Sequence, residues 1–237
     1  SGNAAAHNGG ALCLDANDGE EERTVNVEGG CSFTGNSAGN LGGAVYVSGG
    51  SAEAPTVLNL RSTDSTRPVS FSGNFRGRSA GASTGGVPNS ITVMGHVRLV
   101  MHADPDCLVS MEDPLYSFAG YSSTSSLRKT GEGTLGLGGI SLCHFPVSVE
   151  GGTVRLGTNA GVRGMTRLDV AAGACLSFSL PRNPSQEAKW SAEGPVSLDS
   201  TAEIRVALPV MAGKEQEQSW KLVEWTTLSM AALPSVS

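Results

Sequence analysis

Charge is scarce in this sequence: Asp, Glu, Lys and Arg together make up 16% of 237 residues, against roughly 25% in an average globular domain. The 16 Lys and Arg are scattered and outnumbered by 22 Asp and Glu, for a net charge of -6. There is therefore no basic patch or stripe of the kind that binds nucleic acid, and no polybasic cluster for anionic lipid. Aromatic residues are also few, at 5%. Long apolar runs are absent, since no window approaches the roughly 18 consecutive apolar residues of a membrane span, so this fragment is not expected to insert into a membrane. Residues 1–10 lack the basic and apolar regions of a signal peptide, and the chain reads as a piece of something longer. The five cysteines, Cys13, Cys31, Cys107, Cys143 and Cys175, are separated by 18, 76, 36 and 32 residues. That spacing fits no zinc or redox motif, and an odd count leaves one thiol outside any intrachain pairing. Burial as small hydrophobes is one reading of them, and crosslinking between chains the other.

Glycine is abundant instead, with 32 residues, about twice the usual share of roughly 7%. Between the glycines run short apolar alternations: Val25-Val27, Val45-Val47, Val57-Leu58-Leu60, Val69-Phe71, Ile91-Val93 and Val97-Leu99, then Leu135-Leu137, Val147-Val149, Val154-Leu156, Leu168-Val170, Leu176-Phe178, Val196-Leu198 and Ile204-Val206-Leu208. A period of two over three to six residues, bounded by Gly, Asn, Ser and Asp, predicts strands with one buried face. The chain is all-β on this pattern, with helical spacing confined to short stretches such as Glu187 to Trp190.

Internal repetition selects among all-β architectures. Gly9-Gly10-Ala11-Leu12 recurs as Gly42-Gly43-Ala44-Val45 after 33 residues, and Phe33-Thr34-Gly35-Asn36 recurs as Phe71-Ser72-Gly73-Asn74 after 38. Unequal shifts predict a β-solenoid whose loops vary in length while each strand pairs with its counterpart one turn away. At about 20 residues per turn, roughly 10 to 12 turns and a rod about 50 Å long follow. Phe33 and Phe71 are expected to stack inside, Asn36 and Asn74 to form an amide ladder at a tight corner, and the Gly-Gly-Ala triplets to make a corner without a Cβ clash.

The run from Phe33 to Val47, FTGNSAGNLGGAVYV, resembles the repeat of chlamydial polymorphic membrane proteins, a family of autotransporters. Asn89-Ser90-Ile91 and Asp113-Pro114-Leu115 resemble further elements of that family. LRKTGEGTLGLGG from Leu127 and VEGGTVRLG from Val149 resemble strand repeats of autotransporter passengers generally. The resemblance implies a right-handed parallel β-helix, exported through a C-terminal barrel that this chain does not contain, displayed on the bacterial surface or outer membrane, and acting as an adhesin toward a host cell-surface protein or glycan. No cofactor is implied. Two parts of one continuous solenoid are expected: residues 1–126, bearing the motifs and projecting loops, and residues 127–237, a more regular stalk in which Trp220 to Trp225 reads as an apolar terminal strand. Open strand edges at the ends are a route to homo-oligomers.

Contacts with a partner are expected on three polar insertions, Asp15 to Arg23, Arg76 to Thr84 and Tyr116 to Ser126, because recognition concentrates in loops carried by rigid scaffolds. Asp18, Glu20, Arg23, Arg76, Arg78, Tyr116 and Tyr121 are their candidate binding residues. The chain is not expected to be an enzyme. Gly35-Asn36-Ser37-Ala38-Gly39 fits Gly-x-Ser-x-Gly but lacks the strand-elbow-helix setting of a nucleophile. Gly131-Glu132-Gly133-Thr134-Leu135-Gly136 fits a dinucleotide fingerprint with no helix to open. The alternatives are a β-helix carbohydrate-active enzyme, whose acids would come from His102, Asp104, Asp106, Glu112 and Asp113, and a structural coat component.

Overall fold

The computed structural model describes residues 1–16, 21–79, 82, 84–120, 124–181, 189–208, 222–225, 227–230 and 235–236, the last two for their strand pairing. All described elements of regular structure are strands. Three eight-stranded sheets are each assembled from strands of successive coils, and every pairing within them is parallel. This is a parallel β-helix. Sheet one runs from Leu12–Ala16 to Val223–Glu224, sheet two from Arg23–Val27 to Thr227–Met230, and sheet three from Ser32–Thr34 to Ser235–Val236.

Alternation along each strand sends every second side chain into the enclosed core. Stacking of coils then aligns these side chains in columns. In sheet two one column is Val25, Leu58, Leu99, Leu127, Val147, Leu168 and Val196. In sheet three another is Phe33, Phe71, Met111, Leu137, Leu156, Phe178 and Val206. The Phe33 and Phe71 rings lie 4.7 Å apart and 4° from parallel, a stack worth about 0.5–1.5 kcal/mol beyond the area it buries.

Two expectations are corrected. The described residues form eight coils where ten to twelve were expected, and seven spacings between them span about 34 Å. The interval of 20 residues holds only in the middle, as from Leu127 to Val147. Insertions lengthen it to 41 between Leu58 and Leu99. Secondly, Trp190–Ala192 is a strand of sheet one and Trp190 is buried in the core. Glu187, three residues earlier and the other end of the expected helical stretch, lies outside the described residues, as do Trp220 and Lys221 of the expected terminal strand. Leu222 to Glu224 of that strand do reach sheet one, but the strand is not terminal, since Thr227–Met230 and Ser235–Val236 follow it in sheets two and three. The three sheets run without a break past residue 126, and the strand Ser126–Thr130 straddles it.

The coils change in cross-section along the rod. Ala4–Ala5, Ser37–Ala38 and Phe75–Arg76 form a short fourth side between sheets three and one, closed by Val87–Pro88, which returns antiparallel to Phe75–Arg76. In the next coil only Glu112, Asp113 and Pro114 connect Met111 to Leu115, and the fourth side is gone. The first coils are wide and the later ones narrow. Both repeat motifs belong to the wide part.

Candidate functional site

The motif residues build the extra side. Asn36 turns the chain out of sheet three and is fully buried, as is Asn74. The Asn36 side chain donates from Nδ2 to Asn74 Oδ1 at 2.9 Å, and the Asn36 main-chain N–H donates to the same oxygen at 3.1 Å. Asn3 repeats both bonds onto Asn36 Oδ1 at 3.0 and 3.1 Å. The expected ladder therefore exists and has one more rung than the motif copies indicated. It ends on Asp113, whose carboxylate accepts from Gly73 N–H, Asn74 N–H and Asn74 Nδ2 at 3.1, 2.8 and 2.8 Å. A carboxylate accepts and does not donate, which suits the coil at which the fourth side stops.

The Gly-Gly-Ala corners stack beside this ladder. Gly42 has φ of +68°, open to glycine at little steric cost. A Cβ on Gly43 would lie 2.3 Å from the Asn89 carbonyl oxygen, and one on Gly10 2.1 Å from that of Gly43. Asn89 ends this column as Asp113 ends the other, its Oδ1 accepting from Gly43 N–H at 3.0 Å. Ala44 follows, fully buried. Gly9, Gly10, Asn36, Gly42, Gly43, Ala44, Phe71 and Asn74 lie buried at these corners or in the core, whereas Phe33 is half-buried and Ala11, in the first coil, is exposed.

Of the three insertions, two meet. Arg76 lies on the short fourth side and Tyr116 on sheet one of the following coil, and the Arg76 guanidinium sits 4.1 Å from the centre of the Tyr116 ring. Phe118 meets Tyr116 edge-on with centroids 4.8 Å apart. Arg78 lies over Phe75 at 5.2 Å, and its Nε donates to the Ala82 carbonyl at 2.7 Å. Phe75 and Phe118 were not singled out by sequence reasoning; an aromatic next to a candidate arginine or tyrosine was the available signal. Arg23 is exposed on the strand Arg23–Val27 at the opposite edge of the wide end, and Asp15 accepts from the Ser48 hydroxyl. Asp18, Glu20 and Tyr121 lie outside the described residues.

The acidic residues do not come together. Asp104 accepts a contact from His102 Nε2 at 2.8 Å at the corner preceding the strand Leu108–Met111, while Glu112 and Asp113 follow that strand, with Asp113 committed to the ladder. A groove of about 590 Å³ between sheets two and three is lined by Glu132, Glu150, Thr153 and Arg205, and by none of the five candidates. Among the described residues no group of three or more His, Cys, Asp or Glu is arranged to hold a metal ion. Ser37 sits in the short strand Ser37–Ala38, and Gly131 to Gly133 form a corner between two strands.

Two buried cations were missed. Lys129 occupies an inward position between Met101 and Val149 and is fully buried. Its ammonium donates to the carbonyls of Thr130, Gly131 and Gly151 at 2.9, 2.7 and 3.0 Å. Lys189 does the same for Gly157, Thr158 and Ala160. Burial lowers both pKa values, that of Lys129 to about 8.

The cysteines divide into exposed Cys13 and Cys31 and buried Cys107, Cys143 and Cys175, all free thiols. Burial pushes the Cys143 thiol up to about 12, and the thiolate is the reactive form. A water-soluble thiol reagent is expected to modify Cys13 and Cys31 in the native protein and the other three only on unfolding; mass spectrometry of the labelled chain checks this, and rapid native labelling of Cys143 would contradict it.

Residues 30–48 match the Chlamydia polymorphic membrane protein (Chlamydia_PMP) repeat. The matched run includes Phe33, Asn36, Gly42, Gly43 and Ala44, one corner-to-corner passage along the fourth side. No curated protein and no solved structure matches the chain.

Proposed function

We propose that the chain is part of a surface-displayed autotransporter passenger that acts as an adhesin, engaging a host cell-surface protein or glycan through loops on the β-helix. The observation carrying this reading is the Chlamydia polymorphic membrane protein repeat at residues 30–48, built into the wide end of a parallel β-helix. A laterally hydrogen-bonded rod holds its loops rigidly, and rigid scaffolds are where loop recognition works best. The meeting of Arg76 with Tyr116 supports placing the contact where the second and third insertions adjoin.

Beads coated with the chain are expected to bind cultured epithelial cells saturably. A variant with residues 77–86 and 118–125 shortened, and its β-type circular dichroism unchanged, is expected to bind at least about tenfold less, equivalent to roughly 1.4 kcal/mol. Equal binding by both proteins would move the site onto the faces of the rod. Absence of binding by either would overturn the reading.

A further inference from the structure

The loss of the fourth side after the third coil leaves a step on the rod, where aromatic and cationic side chains adjoin. Three of the twelve aromatic residues, Phe75, Tyr116 and Phe118, occupy it, all half-buried. Val87, on the last strand of the short side, is 54% exposed. Two arginines lie on the rings. Elsewhere Arg61, Arg98, Arg128, Arg167 and Arg205 each pair with a carboxylate, while Arg23, Arg67 and Arg155 stand singly without one among the described residues. Arg76 and Arg78 have no such partner among the described residues, and their rings hold them in place instead. Two uncompensated guanidinium forks on a chain of net charge -6 are a local attraction for an anion, because the fork matches a carboxylate or sulfate with two parallel bonds.

The step also disfavours an extended peptide. Its outer strand, Val87–Pro88, is the free edge of the short sheet, and Pro88 has no N–H to offer a partner strand. Recognition there falls to planar rings and guanidinium forks rather than to main-chain pairing. We infer that this step binds an acidic saccharide, its anionic groups drawn by Arg76 and Arg78 from the two faces of the strand Phe75–Arg76 and an apolar sugar face laid against the aromatic residues. The inference rests on the adhesin reading for its biological setting and names the ligand class for the same surface.

The test is binding of the whole chain to immobilised oligosaccharides of three kinds: oligogalacturonate for carboxylate, heparin-derived for sulfate, and dextran-derived as neutral control. Binding to one or both acidic kinds and not to dextran, weakening with added salt, is expected. Arg76→Gln with Arg78→Gln is expected to lose at least about tenfold of it, as ion-paired bonds to two forks are removed, while Arg61→Gln retains it. Phe118→Ala, which leaves both arginines, is expected to weaken it too. Variants are compared at matched circular dichroism and melting temperature. Equal binding to dextran, no loss in the double arginine variant, or equal displacement by polyglutamate would each overturn the inference. Cell binding measured alongside separates the two readings: cells bound without acidic oligosaccharide sinks the saccharide and spares the adhesin, and the reverse sinks the adhesin and spares the saccharide.

Discussion

Asn74→Ala is expected to destabilise the chain by about 3–5 kcal/mol, because it breaks several bonds at a buried corner and leaves donors there without acceptors. Asn74 Oδ1 is the acceptor for both the main-chain and side-chain N–H of Asn36. Asn74 Nδ2 in turn supplies the Phe33 carbonyl and Asp113, each at 2.8 Å. Alanine removes all four bonds. Asn36→Ala, whose dependent neighbour Asn3 is exposed, is expected to cost less, about 1–2 kcal/mol. Urea denaturation of the three proteins checks the order. A loss below about 1 kcal/mol for Asn74→Ala would mean that water replaces the amide, and that the ladder is incidental to the stability of the wide coils.

Lys129→Met is expected to cost about 2–4 kcal/mol despite removing a charge from the core. Three carbonyls rely on that ammonium, and methionine satisfies none of them. The lysine also gives the wild-type protein a pH dependence of known sign. Its proton is held up to about pH 8 in the folded state, against an ordinary lysine value of 10.5. Between those values the unfolded chain binds more protons, so stability contributed by this group rises with pH across the window and is level below it. Subtracting the Lys129→Met denaturation profile from the wild-type one, between pH 7 and pH 10.5, isolates the lysine's contribution. A difference that stays flat would show that the carbonyls compensate fully for desolvation of the ammonium.

Legibility in the sequence differed from sheet to sheet for a physical reason. Sheets two and three bury Val, Leu, Ile and Phe on alternate positions, and nearly all of their strands stand out by period two. Sheet one follows that rule in its wide coils, as at Val45 and Val47, and departs from it in the narrow ones. In Ile140–Leu142 the inward residue is Ser141, 2% exposed, while Ile140 is 43% exposed. Ser141 is tolerated inside because its hydroxyl accepts from Leu115 N–H at 3.0 Å. Ser117 is likewise buried and hydrogen-bonded to main chain. A polar residue satisfied by the neighbouring coil cannot be distinguished from an outward one by pattern alone. Trp190 was lost for the same kind of reason, since a short strand after a long insertion carries no alternation to read.

The motif corners were more legible than the contact surface. Gly, Asn and Phe at fixed offsets have narrow conformational uses, so their tasks follow from residue type. The rung at Asn3 was within reach as well: it precedes Asn36 by the same 33 residues that separate Gly9 from Gly42. The union of Arg76 with Tyr116 was not, because the 39 residues between them include an excursion whose path no local pattern fixes. The buried lysines were hidden by the ordinary rule that lysine faces water, which fails here because glycine-rich corners turn several carbonyls inward at once.

The rungs of the ladder run one way. Each asparagine donates to the rung that follows it, Asn74 also bonding back to the Phe33 carbonyl, and Asp113 only receives. Truncation is therefore unequal at the two ends of the wide part. Removing the coil before Asn36 leaves an amide oxygen facing solvent, an acceptor that water serves without strain. Removing the coil that carries Asp113 takes the acceptor from the main-chain N–H groups of Gly73 and Asn74 and leaves the Asn74 amide only its bond to the Phe33 carbonyl. The wide coils are therefore expected to tolerate shortening from the front better than loss of their narrow successor.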